Sequence, residues 1–248
     1  MMNFCSYEGL TMSLQQRDLF VRQIFSTVAP YVDLLSSGFS LGFDHFWRMK
    51  AVSLSGIREG ERVLDVCTGT GELAFLLSRQ VGPGGSVTGA DFCEEMLSRA
   101  RKKTGRRHRN LSYVMSDAKQ LPFPDNAFDA VTVAFGMRNI PDTLLALQEI
   151  KRVLRPGGKF ICLELTRPSV KWFRSLYEWY VFKVMPFIGE IVVKTAAPYL
   201  YLPRSINAFY PPDEFRRVIS ECGYSRVTVD SLTMGIATIY RAVKTETY

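Results

Sequence analysis

The chain has 248 residues, 47% of them hydrophobic and 22% charged, enough apolar material for one α/β domain with additions or for two small domains, and too much for wholesale disorder. No run of eighteen apolar residues reads as a bilayer span, and a net charge of +7 favours an anionic surface, either nucleic acid or phospholipid headgroups. Five scattered cysteines without a C-x-x-C pair, beside only two histidines (His45 and His108), argue against a metal site and for reduced thiols in a cytoplasmic protein.

The N-terminus lacks a basic segment followed by an apolar core, so no export signal is read there; Met12 is a second candidate start. Residues 14–55 have helical character. Leu19, Phe20, Ile24, Phe25 and Val28 recur at helical spacing, and Pro30 closes that helix. Asp33-Leu34-Leu35 opens a second segment, and Ser40 leads into Phe43, Phe46 and Trp47. Such helices in front of a nucleotide fold either cap its site or pack on its flank, and the sequence leaves both open.

From residue 63 the pattern alternates as in a doubly wound sheet. Strands are expected at 63–66, 86–90, 111–115, 129–135 and 159–164, with helices near 72–80, 94–102 and 144–154 between them. Arg155-Pro156-Gly157-Gly158 reads as the turn into the fifth strand. After a helix starting at Pro212, Val227–Asp230 and Ile236–Val243 read as an antiparallel pair at the sheet edge. The fold class is therefore α/β, Rossmann-like, with a mostly parallel sheet.

The stretch organising this domain runs from Val63 to Ala74: a short strand, a glycine turn and the first turn of a helix. Gly69 and Gly71 let a ligand approach the backbone, and a helix beginning there offers free N–H groups. Twenty residues past Gly71, Asp91 is placed to accept hydrogen bonds from both hydroxyls of a ribose. Gly69-x-Gly71-x-x-Ala74 also satisfies the loose dinucleotide fingerprint, so a nicotinamide or flavin enzyme is a rival. Asp65 tilts the reading. A carboxylate beside the loop repels a pyrophosphate but pairs with the ammonium of an amino-acid tail, which favours S-adenosylmethionine. Asp117, at the end of the third strand, can accept a hydrogen bond from an adenine amine. Phe135-Gly136-Met137-Arg138-Asn139 emerges at the end of the fourth strand, over the expected reaction centre.

Two stretches remain. The basic cluster Arg101, Lys102, Lys103, Arg106, Arg107 and Arg109 falls on a helix end without interleaved aromatics, so it reads as a solvated face rather than a nucleic-acid patch. Between 166 and 206 the alternation breaks. Trp172, Leu176, Tyr177, Trp179, Phe182, Phe187, Ile191 and Val192 crowd there beside Lys171, Arg174 and Lys183, as in an interfacial helix or a helical lid.

With these motifs placed, the chain resembles the ubiquinone/menaquinone biosynthesis C-methyltransferases from about residue 17 to 244. The resemblance rests on Val28-Ala29-Pro30, Ser40-Leu41-Gly42 with Trp47-Arg48, Val63 through Gly71, and Leu121-Pro122-Phe123-Pro124-Asp125. It rests further on Phe135 through Asn139, Arg152 through Gly158, Tyr199-x-Tyr201-Leu202-Pro203 and Leu232-Thr233-x-Gly235-Ile236. It implies a seven-stranded class I methyltransferase fold, with 1–55 as an N-terminal cap and 56–248 as the methyltransferase domain, interrupted by the insertion at 166–206. S-adenosylmethionine is the implied donor, with Thr70 in the turn, Asp91 on the ribose and Asp117 with Ala118 at the adenine.

Arg138 matches a family arginine that assists proton removal. An arginine stays protonated, so Arg138 is assigned to hold a water or the phenolate oxygen. His45 is a second candidate for proton removal, since imidazole titrates in the useful range. The implied acceptor is a prenylated quinol, reached by an enzyme resting on an anionic membrane surface; a homodimer is left open. The chain departs from the family at Val32, Ser36, Ala134, Thr195 and Tyr240, in segments expected mostly to face the acceptor. A methyltransferase of a soluble phenol or amine and a non-catalytic nucleoside-binding protein are the rival readings.

Overall fold

The computed structural model describes residues 13–105, 108–168, 170–185 and 197–245. Seven strands form one sheet in the order β3-β2-β1-β4-β5-β7-β6. They are β1 Arg62–Val66, β2 Ser86–Asp91, β3 Leu111–Met115, β4 Phe128–Ala134, β5 Leu154–Leu165, β6 Tyr224–Leu232 and β7 Ala237–Lys244. β1 to β5 run parallel; β7 lies antiparallel between β5 and β6. The expected edge pair is therefore present. The order reverses between β1 and β4, and in open α/β sheets ligands bind at the carboxyl ends of the strands flanking such a switch point.

Period-two alternation in strands covered on both faces makes two cores. Leu64 and Val66 of β1 join Phe160 and Cys162 of β5 on one face, under α6 (Thr143–Val153) and α9 (Pro212–Glu221). Val63 and Ile161 point the other way, toward Leu73 and Leu77 of α4 (Glu72–Val81) and Trp47 and Ala51 of α3 (Phe43–Leu54). α5 (Glu94–Lys103) carries α1 (Leu14–Val28) through a small cluster of Val28, Ala29, Cys93 and Met96. Capping fixes the start of α1: Ser13 and Gln16 exchange side-chain and backbone hydrogen bonds reciprocally.

Most strand boundaries fall within a residue of expectation; β6 runs longer than the expected 227–230, at Tyr224–Leu232, and β5 departs furthest. β5 begins at Leu154, not 159, because Leu154 already pairs with Phe128 and the register then jumps to Lys159 opposite Ala130. The Arg155–Gly158 turn is thus absorbed into the strand as an irregularity, an outcome local turn chemistry cannot foresee.

The alternatives for the N-terminal helices both hold. α3 packs on the sheet flank, while α1 and α2 (Val32–Phe39) lie over the carboxyl edge. The insertion forms α7 (Lys171–Trp179), which continues as a π-helical turn at Tyr180–Val184, and α8 (Ala197–Ala208). Tyr201 of α8 packs with Val21 and Ile24 of α1, its ring centroid 6.0 Å from that of Phe20. Tyr180 donates to the Phe39 carbonyl at 3.1 Å, so cap and insertion close over the same edge. Phe187–Val193, Thr195, Arg106, Arg107 and Met1–Met12 lie outside the described residues. Among the described residues, no helix is long and apolar enough to cross a membrane.

Candidate active site

Asp65 points from β1 into a cavity of about 360 Å³ at the switch point. It is 1% exposed, and two hydroxyls hold its carboxylate: Thr68 donates to one oxygen and Thr132 of β4 to the other, both at 2.6 Å. Burial pushes its carboxyl up to about 6, against those two hydrogen bonds, which favour the charged form. The chain then turns sharply. Cys67 takes a φ of 56°, Gly69 one of 57° and Gly71 one of 86°. A Cβ on Gly71 would lie 2.7 Å from the Tyr113 hydroxyl, so only glycine lets α4 start so close to β3.

Asp91, the last residue of β2, braces this turn from the next strand. Its carboxylate accepts from the Gly69 amide at 2.8 Å and the Cys93 amide at 2.9 Å. Burial pushes its carboxyl up to about 6 despite these donors. A carboxylate offers about four acceptor sites, so two remain for the hydroxyls of a ribose. The Thr70 hydroxyl is given to Asp33 of α2, whose other oxygen accepts from Lys103 at 2.9 Å. The cap is thereby tied to the turn it covers.

The fourth strand ends in a second strained turn. Phe135 has a φ of 59°, and a Cβ on Gly136 would lie 2.4 Å from the Cβ of Cys67. Non-glycine residues at positive φ concentrate at functional sites, and here two stand side by side at neighbouring strand ends. The 3₁₀ turn that follows, Met137–Asn139, presents Arg138 to the cavity. Its Nη1 donates to the Phe135 carbonyl at 2.6 Å and to Glu164 at 2.5 Å, and its amide donates to the other Glu164 oxygen at 3.1 Å. Glu164 is fully buried, so this pair is screened from water. The Nε of Arg138 has no partner among the described residues. Opposite stands Tyr177 of α7, whose phenol burial pushes up to about 12, against the pull of Arg138. Asn139 accepts from the Tyr201 hydroxyl at 2.8 Å, which joins α8 to the same loop.

Asp65, Gly69, Thr70, Asp91 and Arg138 thus line one cavity, and Gly71 shapes it. Asp117 and Ala118 follow β3 directly but do not line it; Asp117 is exposed, with its carboxylate on the Lys119 amide at 2.8 Å. The expectation for His45 is corrected. It sits on the exposed side of α3, because the helical period turns Asp44, Trp47 and Arg48 inward and leaves position 45 in solvent. Tyr240 is corrected likewise: it is buried in the opposite core, 4.9 Å between ring centroids from Phe215, and does not face the cavity. Val32, Ser36 and Ala134 do line it.

Sequence reasoning missed Glu164, Asp33, Thr68 and Thr132. A signal existed for Glu164, a lone acid closing the apolar run Phe160-Ile161-Cys162-Leu163.

The cavity fits a nucleoside with an amino-acid tail. Its size lies in the usual range for small-molecule sites, the glycine backbone is open, and two acids meet it from adjacent strands. Fold and cavity together define a class I methyltransferase that uses S-adenosylmethionine. The model of the ubiE/COQ5 methyltransferase family matches residues 11–244. Demethylmenaquinone methyltransferases of Staphylococcus aureus, strains JH9 and Newman, are each 40% identical over 224 residues, covering 90% of this chain and 92% of theirs. A SAM-dependent methyltransferase of Aquifex aeolicus is 24% identical with a TM-score of 0.60, covering 79% of this chain and 88% of its own. One of Thermotoga maritima is 20% identical with a TM-score of 0.63, covering 89% and 99%. These two likenesses concern the fold. The chain belongs to the ubiE/COQ5 methyltransferase family.

Proposed function

We propose that the chain methylates a ring carbon of a prenylated quinol, with demethylmenaquinol first among the acceptors and a demethylated benzoquinol second. The observation that carries this reading is Arg138, held by Glu164 in a cavity lined both by the acids Asp65 and Asp91 and by the aromatic side chains Tyr177 and Tyr180. The names of the relatives at 40% identity support the acceptor class.

S-adenosylmethionine supplies an electrophilic methyl group on a cationic sulfur. Asp91 would bind the ribose hydroxyls, Asp65 the ammonium and the Gly69–Gly71 turn the backbone side of the nucleoside, while Asp117 and Ala118, outside the cavity lining just past β3, would meet the adenine only at its outer edge. Arg138 donates to the quinol oxygen next to the reacting carbon. A hydroxyl there loses its proton to water more readily beside a fixed cation, and the resulting phenolate pushes electron density onto the ortho carbon. That carbon would take the methyl group as the sulfur–methyl bond breaks to leave S-adenosylhomocysteine, and then lose its ring proton to water as aromaticity returns. Alignment of the two reactants and exclusion of water by α7 and α8 supply much of the remaining acceleration.

The acceptor's tail calls for a membrane surface. Trp172, Leu176 and Trp179 of α7 are 67%, 55% and 59% exposed at i, i+4 and i+7, and Leu41, Phe43 and Phe46 are exposed on the adjoining cap. With a net charge of +7, this face suits peripheral binding to anionic lipid. The same face is the candidate contact of a homodimer. Sedimentation with and without anionic vesicles separates the two: pelleting with vesicles supports surface binding, and a dimer without lipid supports self-association.

A second reading, a soluble phenol as acceptor, is favoured by Val32, Ser36 and Ala134, family departures that line the cavity. The deciding experiment incubates the enzyme with methyl-labelled donor and a panel of demethylated quinols with and without a prenyl tail. Carbon-methylated prenylquinol is expected. Label appearing only on oxygen or nitrogen of tail-less acceptors would overturn the assignment.

A further inference from the structure

The cavity holds a second arginine that the reaction scheme above leaves unused. Arg48 reaches it from α3, one helical turn beyond Asp44, and both side chains are largely buried, at 12% and 9% exposure. Its Nη1 donates to Asp44 at 2.6 Å, and Asp44 also accepts from the Ser40 hydroxyl at 2.9 Å. Burial would raise the Asp44 carboxyl, but the bond and charge of Arg48 outweigh it and hold it below the usual range. The guanidinium carbon lies 5.1 Å from the centroid of the Phe135 ring, at the end of the strand beside β1. Its charge is also felt at Asp65, where it favours the ionised form.

A guanidinium carries five N–H donors, and among the described residues only Asp44 meets those of Arg48. The unused donors open onto the cavity, where an anionic ligand group can take the place of water. Both cavity arginines keep donors unbonded among the described residues, but their surroundings differ. Arg138 is matched by the fully buried Glu164 and lies by Tyr177, on the acceptor side. Arg48 lines the same cavity as Asp65, the acid assigned to the ammonium. An α-amino acid tail presents an ammonium and a carboxylate two bonds apart, and Asp65 and Arg48 offer the complementary pair of charges.

We propose that Arg48 binds the carboxylate of the donor's amino-acid tail, through the edge of its guanidinium that Asp44 does not occupy. This makes α3 part of the donor site, with Ser40 and Asp44 as positioning residues that keep the guanidinium over Phe135. The inference rests on S-adenosylmethionine as donor and is independent of which acceptor is methylated.

Calorimetric titration tests it with three ligands: S-adenosylhomocysteine, its decarboxylated analogue and 5′-methylthioadenosine, which lacks the whole tail. The unmodified protein is expected to bind S-adenosylhomocysteine roughly ten- to a hundred-fold more tightly than the decarboxylated analogue, the range of a charge-assisted hydrogen bond. Arg48→Gln should lose that margin, binding S-adenosylhomocysteine about as weakly as the analogue. Its affinity for 5′-methylthioadenosine should stay within about threefold, which also reports an intact fold. Arg48→Lys, which keeps the charge but not the fork, should recover part of the margin.

Indifference of the unmodified protein to the carboxylate would overturn the proposal without any variant. So would equal loss of all three ligands in both variants, which would mark a structural role. Failure of the unmodified protein to bind any of the three would instead remove the donor assignment itself.

Discussion

The two halves of the cavity, proposed for donor and for acceptor, are built by different means. In the donor half, strand ends set the two acids: Asp65 is clamped by Thr68 and Thr132, and Asp91 by two backbone amides. In the acceptor half, the cap and insertion contribute side chains from helices joined to their surroundings by few hydrogen bonds, such as Tyr201 to Asn139 of the turn after β4 and Tyr180 to the Phe39 carbonyl of α2. A preorganised donor site keeps its geometry whatever acceptor arrives, while packed helices with exposed aromatics can change with the acceptor. The loop from Phe135 to Asn139 is the seam, fastened to the sheet by Glu164 and to the insertion by Tyr201.

The largest effect expected from breaking this division falls at the seam. Arg138→Gln should lower kcat roughly 10²- to 10³-fold, as removal of an oxyanion donor does, measured as methyl transfer at saturating donor. Gly136→Ala is next. Its new Cβ would press on Cys67, and overpacking of this kind should cost about 1–3 kcal/mol in urea unfolding.

A pH titration then sharpens the donor side. The ammonium of the donor pairs with Asp65 only when that acid is ionised, so S-adenosylhomocysteine affinity should fall about tenfold per unit below pH 6 and level off above 7. Stability of the unliganded chain should move oppositely. Raised carboxyl values favour the protonated acids in the folded state, so that contribution is complete below pH 4 and lost as pH rises through about 6. A flat affinity profile between pH 5 and 7 would detach Asp65 from the ligand.

The smallest effect lies at the outer face. Trp172→Ser should weaken vesicle binding about fivefold while sparing transfer to a tail-less acceptor, because an exposed tryptophan contributes on the order of 1 kcal/mol at an interface.

The two halves also differ in how far the sequence discloses them. The sheet was legible because its strands are apolar runs bounded by glycine turns, and Asp65 and Asp91 stand at run ends, where chemistry shows against packing. Arg138 was legible for the same reason. Glu164, its anchor, was not, since one acid at the end of a hydrophobic strand gives no hint of its partner 26 residues earlier. Asp33 and Arg48 were hidden for a further reason. Their roles depend on where the cap lands on the sheet, which helical periodicity does not specify. His45 shows the converse: suitable chemistry at a position that the helix turns to solvent.

Separability of the halves is tested most directly by titrating S-adenosylhomocysteine into Asp91→Ala and Arg138→Gln side by side. The Asp91 variant should lose roughly ten- to a hundred-fold in affinity, and the Arg138 variant should stay within about twofold of the unmodified protein. Equal losses in both variants, or an undiminished Asp91→Ala, would contradict a donor site whose acids are set by the strand ends.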